Sequence, residues 1–89
     1  AAAEAEYLEK KREGYRSKKE RAAEAAQKER IKRIEAAISQ NEGEEAEISA
    51  KLANPAVTAD YREVERLCRR LDELKREQEE LYAEYDKLI

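Results

Sequence analysis

An 89-residue chain that is 46% charged and 40% hydrophobic has too little apolar material for a globular core. With no His, one Cys and two Gly, it lacks the usual zinc ligand sets, nucleophile–base pairs and phosphate-cradling loops, so it reads as non-enzymatic, with no catalytic residue and no metal site. No apolar run approaches the ~20 residues of a membrane span, and no signal peptide is visible, which implies a soluble chain without a membrane partner. The absence of Met implies a portion of a larger protein.

Residues 1 to 13 read as a helix whose only sizeable apolar groups are Tyr7 and Leu8. Gly14 offers a stop. Ser17 stands three residues before Glu20, the spacing by which side chains satisfy the free amides of a helix start. A break near 14 to 17 is therefore expected, which makes 1–17 a helical linker and starts a long helix at 18; continuity through Gly14 is the main alternative, because one glycine costs only ~1 kcal/mol in a helix. That helix extends to residue 53, some 35 residues or roughly 50 Å at 1.5 Å per residue. Its apolar positions Ile31, Ile34, Ile38, Ile48 and Leu52 step by three and four, the spacing of a coiled-coil seam. Asn41 and Glu45 occupy seam positions near Gly43, so a bend, bulge or wetted layer is expected there.

Pro55 ends this helix, because proline lacks an amide proton and its ring clashes with the preceding turn. The turn is placed at 54–59. The return helix, 60–88, begins at Asp60-Tyr61-Arg62-Glu63, with Thr58 as a competing start. Its seam is Val64, Leu67, Leu71, Leu74, Leu81 and Leu88. The expected fold class is all-α, an antiparallel two-helix coiled-coil hairpin over 18–89 with an additional N-terminal helical segment.

One register satisfies both seams. It places Ile48 against Val64, Ile38 against Leu74, Ile34 against Gln78 and Ile31 against Leu81. On the flanks it pairs Lys51 with Glu63, Glu44 with Arg70, Arg30 with Glu84 and Glu35 with Lys75, all opposite in charge. Sliding either helix by a heptad brings like charges together. Exposed pairs are worth only ~0.2–1 kcal/mol each, so charge selects the register while the seam supplies stability. The self-contained register predicts a monomer. Cys68 beside the seam reads as a packing residue, consistent with a reducing setting.

Charge divides the chain. Residues 1 to 33 hold eleven Lys or Arg against seven Glu, a net +4, and the remainder carries −7. The basic groups are Lys10, Lys11, Arg12, Arg16, Lys18, Lys19 and Arg21, then Lys28, Arg30, Lys32 and Arg33. Such a stretch suits the phosphates of a nucleic acid through counterion release. Lys and Glu at helical spacing equally serve a solvated face. Tyr7 and Tyr15 stand alone, without the aromatic interleaving that stacks bases, so contacts are expected to be weak and directed at the backbone.

Leu52-Ala53-Asn54-Pro55, then Val57 to Tyr61, Val64-Glu65-Arg66-Leu67 and Leu81 through Tyr85 to Leu88, resemble the C-terminal coiled-coil domain of the ABC-F ATPases, the Uup-like group. That domain joins two helices around a leucine, a small residue, an aspartate and a proline, and ends in an aromatic followed by a leucine. Asn54 and Tyr85 depart mildly from the aspartate and tryptophan of the pattern. Upstream, Glu6-Tyr7-Leu8-Glu9-Lys10-Lys11 is similar to the stretch that closes the second nucleotide-binding domain. The resemblance implies an accessory arm on a cytoplasmic, non-transporting ATPase of the ribosome. Its implied partners are DNA, ribosomal or transfer RNA, the ribosome and its own ATPase domains. ATP and Mg would belong to those domains. The alternative is a structural protein–protein docking arm without nucleic-acid contact.

Overall fold

The computed structural model describes residues 2–89, apart from the side chain of Arg16. The described residues form three helices: α1 (Ala2–Leu52), α2 (Pro55–Thr58) and α3 (Tyr61–Leu88). The chain divides into two units, Ala1–Arg30 and Ile31–Ile89. In the first unit every described side chain is exposed. The second holds the hairpin and every buried residue among those described.

The break expected at 14 to 17 is absent, because α1 is helical through Gly14 and Ser17. The helix expected to start at 18 instead runs unbroken from Ala2. A single helical glycine costs only ~1 kcal/mol relative to alanine, and it lies in a run of Ala, Glu, Lys and Arg, the strongest helix formers. Starting a new helix at Ser17 would leave several backbone amides and carbonyls without helical partners. A cap worth ~1 kcal/mol does not offset that loss.

The helix also continues through Gly43. An alanine methyl at that position would meet open space, so Gly43 faces solvent and the polar seam residues face inward. Asn41 and Glu45 are half-buried, and Asn41 Nδ2 donates to Glu77 Oε2 across the hairpin at 3.3 Å. The irregular layer is therefore a polar one built on an unbroken α-helix.

At the tip, α1 ends at Leu52 and Pro55 opens the single-turn α2, a short helix where the sequence suggested only a turn. The Asn54 carboxamide oxygen caps it by accepting from the Ala56 amide at 3.0 Å, and Pro55 occupies a first-turn position that needs no amide proton. Of the two candidate starts for α3, Asp60 is the cap. Its Oδ1 accepts from the Glu63 amide at 3.4 Å, while the Thr58 hydroxyl is committed to the Pro55 carbonyl at 3.2 Å.

The seam positions of both helices face the hairpin interior, and of the expected pairings Glu44 with Arg70 forms, while Gln78, expected opposite Ile34, reaches the carbonyl of Ile38. Ile34, Ile38, Ile48, Leu67 and Leu74 are buried, and Ile31, Leu52, Val64, Leu71, Leu81, Tyr85 and Leu88 are half-buried. Ile48, Leu67 and Leu74 form the tightest cluster, against which Leu52, Val57 and Leu71 pack, so the short α2 closes the core at the tip. Full burial of each aliphatic side chain contributes roughly 1.5–3 kcal/mol. The charged flank forms at Glu44 and Arg70, joined by a fork of 2.7 and 3.0 Å. Glu35, expected opposite Lys75, accepts instead from the Tyr85 hydroxyl at 3.4 Å.

Gln78 is the buried polar residue of the seam. Its Nε2 donates to the Ile38 carbonyl at 3.3 Å, while its buried Oε1 finds no partner among the described residues. An unsatisfied buried acceptor costs ~1–3 kcal/mol, more than one neutral hydrogen bond returns. Gln78→Leu is therefore expected to stabilise the hairpin by about 1–2 kcal/mol in urea denaturation. A lowered midpoint would mean that the bond to Ile38 outweighs the orphaned oxygen.

Candidate nucleic-acid interface

The basic residues singled out in the sequence all lie on α1. Lys10, Lys11, Arg12, Lys18, Lys19 and Arg21 are exposed, as are Lys28, Arg30, Lys32 and Arg33. The side chain of Arg16 lies outside the described residues. Continuity through Gly14 fixes the rotational phase between the basic groups on its two sides. Leu8, Lys11, Arg12 and Tyr15 line a shallow groove, and a second one is lined by Ala3, Glu4, Tyr7 and Leu8. The two tyrosines are 66% and 72% exposed, for Tyr7 and Tyr15 respectively, so neither is used to build the fold.

A second cationic surface escaped the sequence reading. Arg62, Arg66, Arg69 and Arg70 line a groove near the tip with Glu44, Glu65 and Glu73. The signal was present as arginines three, four and eight apart on one helix, but it was masked by the acidic balance of the second half. Glutamates neutralise much of it. Arg66 pairs with Glu63, Arg69 with Glu65 at 2.7 Å, and Arg70 with Glu44, Glu73 and Glu77. A phosphate would have to displace these carboxylates, which makes the groove an internal ion-pair lattice rather than an anion site.

The family model of the ABC transporter C-terminal domain matches residues 21–89. The chain belongs to this family. No curated protein and no solved structure matches it. The match on this ABC transporter C-terminal domain spans the hairpin and all of its core, together with Arg21, Lys28, Arg30, Lys32 and Arg33. Lys10 to Lys19 precede it. No helix is long and apolar enough to cross a membrane among the described residues, and none of their His, Cys, Asp and Glu side chains cluster to hold a metal ion.

Ion pairing sets the acid response of the domain. The Arg70 guanidinium, hydrogen-bonded to Glu44, holds that carboxyl below its ordinary value of 4.5. Arg66 does the same for Glu63, with Lys51 adding to it. The contribution of a carboxyl with a depressed pKa is complete above its unfolded value and is lost as pH falls through the folded one. The stability advantage of the wild type over Glu44→Gln is therefore expected to hold from pH 7 to about 5, to shrink as the pH falls below 4.5 and to vanish once it passes below the lowered folded value, read by thermal melts at each pH. Tyr82 runs the other way. Its hydroxyl donates to Glu42 at 3.1 Å, which raises its pKa, so that contribution persists through neutral pH and is lost only in alkali.

Proposed function

We propose that this chain is the accessory nucleic-acid-binding coiled-coil domain of an ABC-F ATPase of the Uup-like group, acting on the ribosome and translation or on DNA. The observation that carries this reading is the division of labour between the two units. Among the described residues the hairpin contains every buried one, whereas the stretch from Lys10 to Arg21 buries none of its described side chains. Its described side chains therefore add nothing to the buried core, and its exposed cations are accessible to phosphates. The Lys28, Arg30, Lys32 and Arg33 cluster adds further positive charge along α1.

ATP and Mg belong in this reading to the nucleotide-binding domains of the parent protein, and the arm acts in the cytoplasm as a monomer. The Asn54-Pro55 turn and the Tyr85 to Leu88 ending support the ABC-F assignment within the broader family, since they match the pattern of its C-terminal domain.

Neutralising about five phosphates gives a plot of log affinity against log salt with a slope of roughly −3.5 to −4.5. Titration of single-stranded DNA, duplex DNA and a structured RNA between 50 and 200 mM salt measures it directly. No salt-sensitive binding to any of them at low ionic strength would overturn the proposal in favour of a protein-docking arm.

A further inference from the structure

The unbroken helix through Gly14 gathers four cations around Tyr15 on one side of α1, while Lys10 and Arg21 lie on the other side among glutamates. Leu8, Lys11, Arg12, Tyr15, Lys18 and Lys19 recur at the three- and four-residue steps that share one face of a helix. Glu6 and Glu24 each lie nine positions from Tyr15, which is two and a half turns, so they point the opposite way. Glu9, Glu13 and Glu20 fall on that same rear side. Had the helix broken at residues 14 to 17, the two halves of the basic set would have had no fixed phase.

The front face carries more than charge. Tyr15, 72% exposed, lies between Lys11 and Arg12 on one side and Lys18 and Lys19 on the other. Leu8, 52% exposed, adds a second apolar group beside Lys11 and Arg12 in the groove that they share with Tyr15. Phosphates alone leave these apolar surfaces without a partner. In a duplex the base faces are stacked inside, out of reach of a side chain on the backbone. In an unpaired strand they are available, and stacking on an aromatic ring is tolerant of sequence.

Resting on the nucleic-acid reading above, we infer that this single face of α1 is a track for an unpaired nucleotide strand. Lys11, Arg12, Lys18 and Lys19 take phosphates, and Tyr15 stacks on a base. From Lys11 to Lys19 the track is about 12 Å long, enough for a short run of nucleotides. The contact is with bases as well as backbone, which the isolated position of Tyr15 in the sequence did not suggest.

The test compares single-stranded oligonucleotides with duplexes of the same length, using the whole 89-residue chain. Tyr15→Ala should weaken single-strand binding by about tenfold or more and leave duplex binding unchanged, while Tyr15→Phe retains the affinity. The triple variant Lys11→Gln, Lys18→Gln, Lys19→Gln should reduce the magnitude of the salt slope by about 2. The triple variant Lys10→Gln, Arg21→Gln, Lys28→Gln, which removes the same charge away from the track, should change it far less. Equal losses from the two triples, or an inert Tyr15→Ala, would overturn the one-sided track while leaving salt-dependent binding intact. No binding by the unaltered chain would overturn both this inference and the function on which it rests. Circular dichroism of each variant verifies that helix content is unchanged.

Discussion

Leu74→Ala is expected to destabilise the hairpin by about 2–5 kcal/mol in urea denaturation, the range for emptying a fully buried leucine site. Leu74 is wholly inaccessible and clusters with Ile48 and Leu67. A two-helix hairpin is poorly placed to collapse around the gap, because each layer of the seam is bounded by solvent on its flanks and draws on few neighbours. Small domains are stable by only about 5–15 kcal/mol, with the shortest at the bottom of that range. The substitution thus removes a large part of the total. Leu8→Ala deletes the same atoms from an exposed position and is expected to change stability by no more than about 0.5 kcal/mol. A loss below 1 kcal/mol for Leu74→Ala would show that the seam relaxes to close the cavity.

The seam was legible in the sequence because its signal is local and repetitive. Ile34, Ile38 and Ile48 on one side and Leu67, Leu71 and Leu74 on the other obey a single period, and Pro55 forbids the straight alternative. Opposite charges at Glu44 and Arg70 then separated one register from its neighbours, and that pair is present. The cap at Asp60 was readable for a similar reason, since it depends on residues within one turn.

Gly14 was misread because its outcome is a sum rather than a motif. The glycine and the Ser17–Glu20 pattern both favour a break, but each is worth only ~1 kcal/mol. Against them stands the loss of several helical hydrogen bonds in a run of strong helix formers. The same error concealed the common face of the basic residues that the sequence had singled out. Until the helix is known to be continuous, Lys11 and Lys18 have no common face, and Tyr15 has no defined neighbours. Gln78 illustrates a different limit: its seam position followed from spacing, but the choice of the Ile38 carbonyl as its partner depends on side-chain geometry across the hairpin.

Replacing Lys10, Lys11, Arg12, Lys18 and Lys19 together with Gln is expected to abolish measurable nucleic-acid binding at physiological salt. The electrostatic part of affinity comes from released counterions, so it grows as salt falls and disappears near 1 M. A slope of about −4 corresponds to roughly three orders of magnitude between 1 M and physiological salt, which exceeds what typical non-specific affinities of 10⁻⁴–10⁻⁶ M can lose and still be detected. The slope of the variant should approach zero. Helix content should hold, because glutamine is nearly as good a helix former as lysine or arginine. Hairpin melting should also hold, since every buried residue lies in Ile31–Ile89. Leu74→Ala should produce the reverse pattern, with a lower melting point and the cations of α1 untouched. If Leu74→Ala abolished binding as completely as the charge variant, the contact would require the folded hairpin, and the basic stretch would not be sufficient by itself.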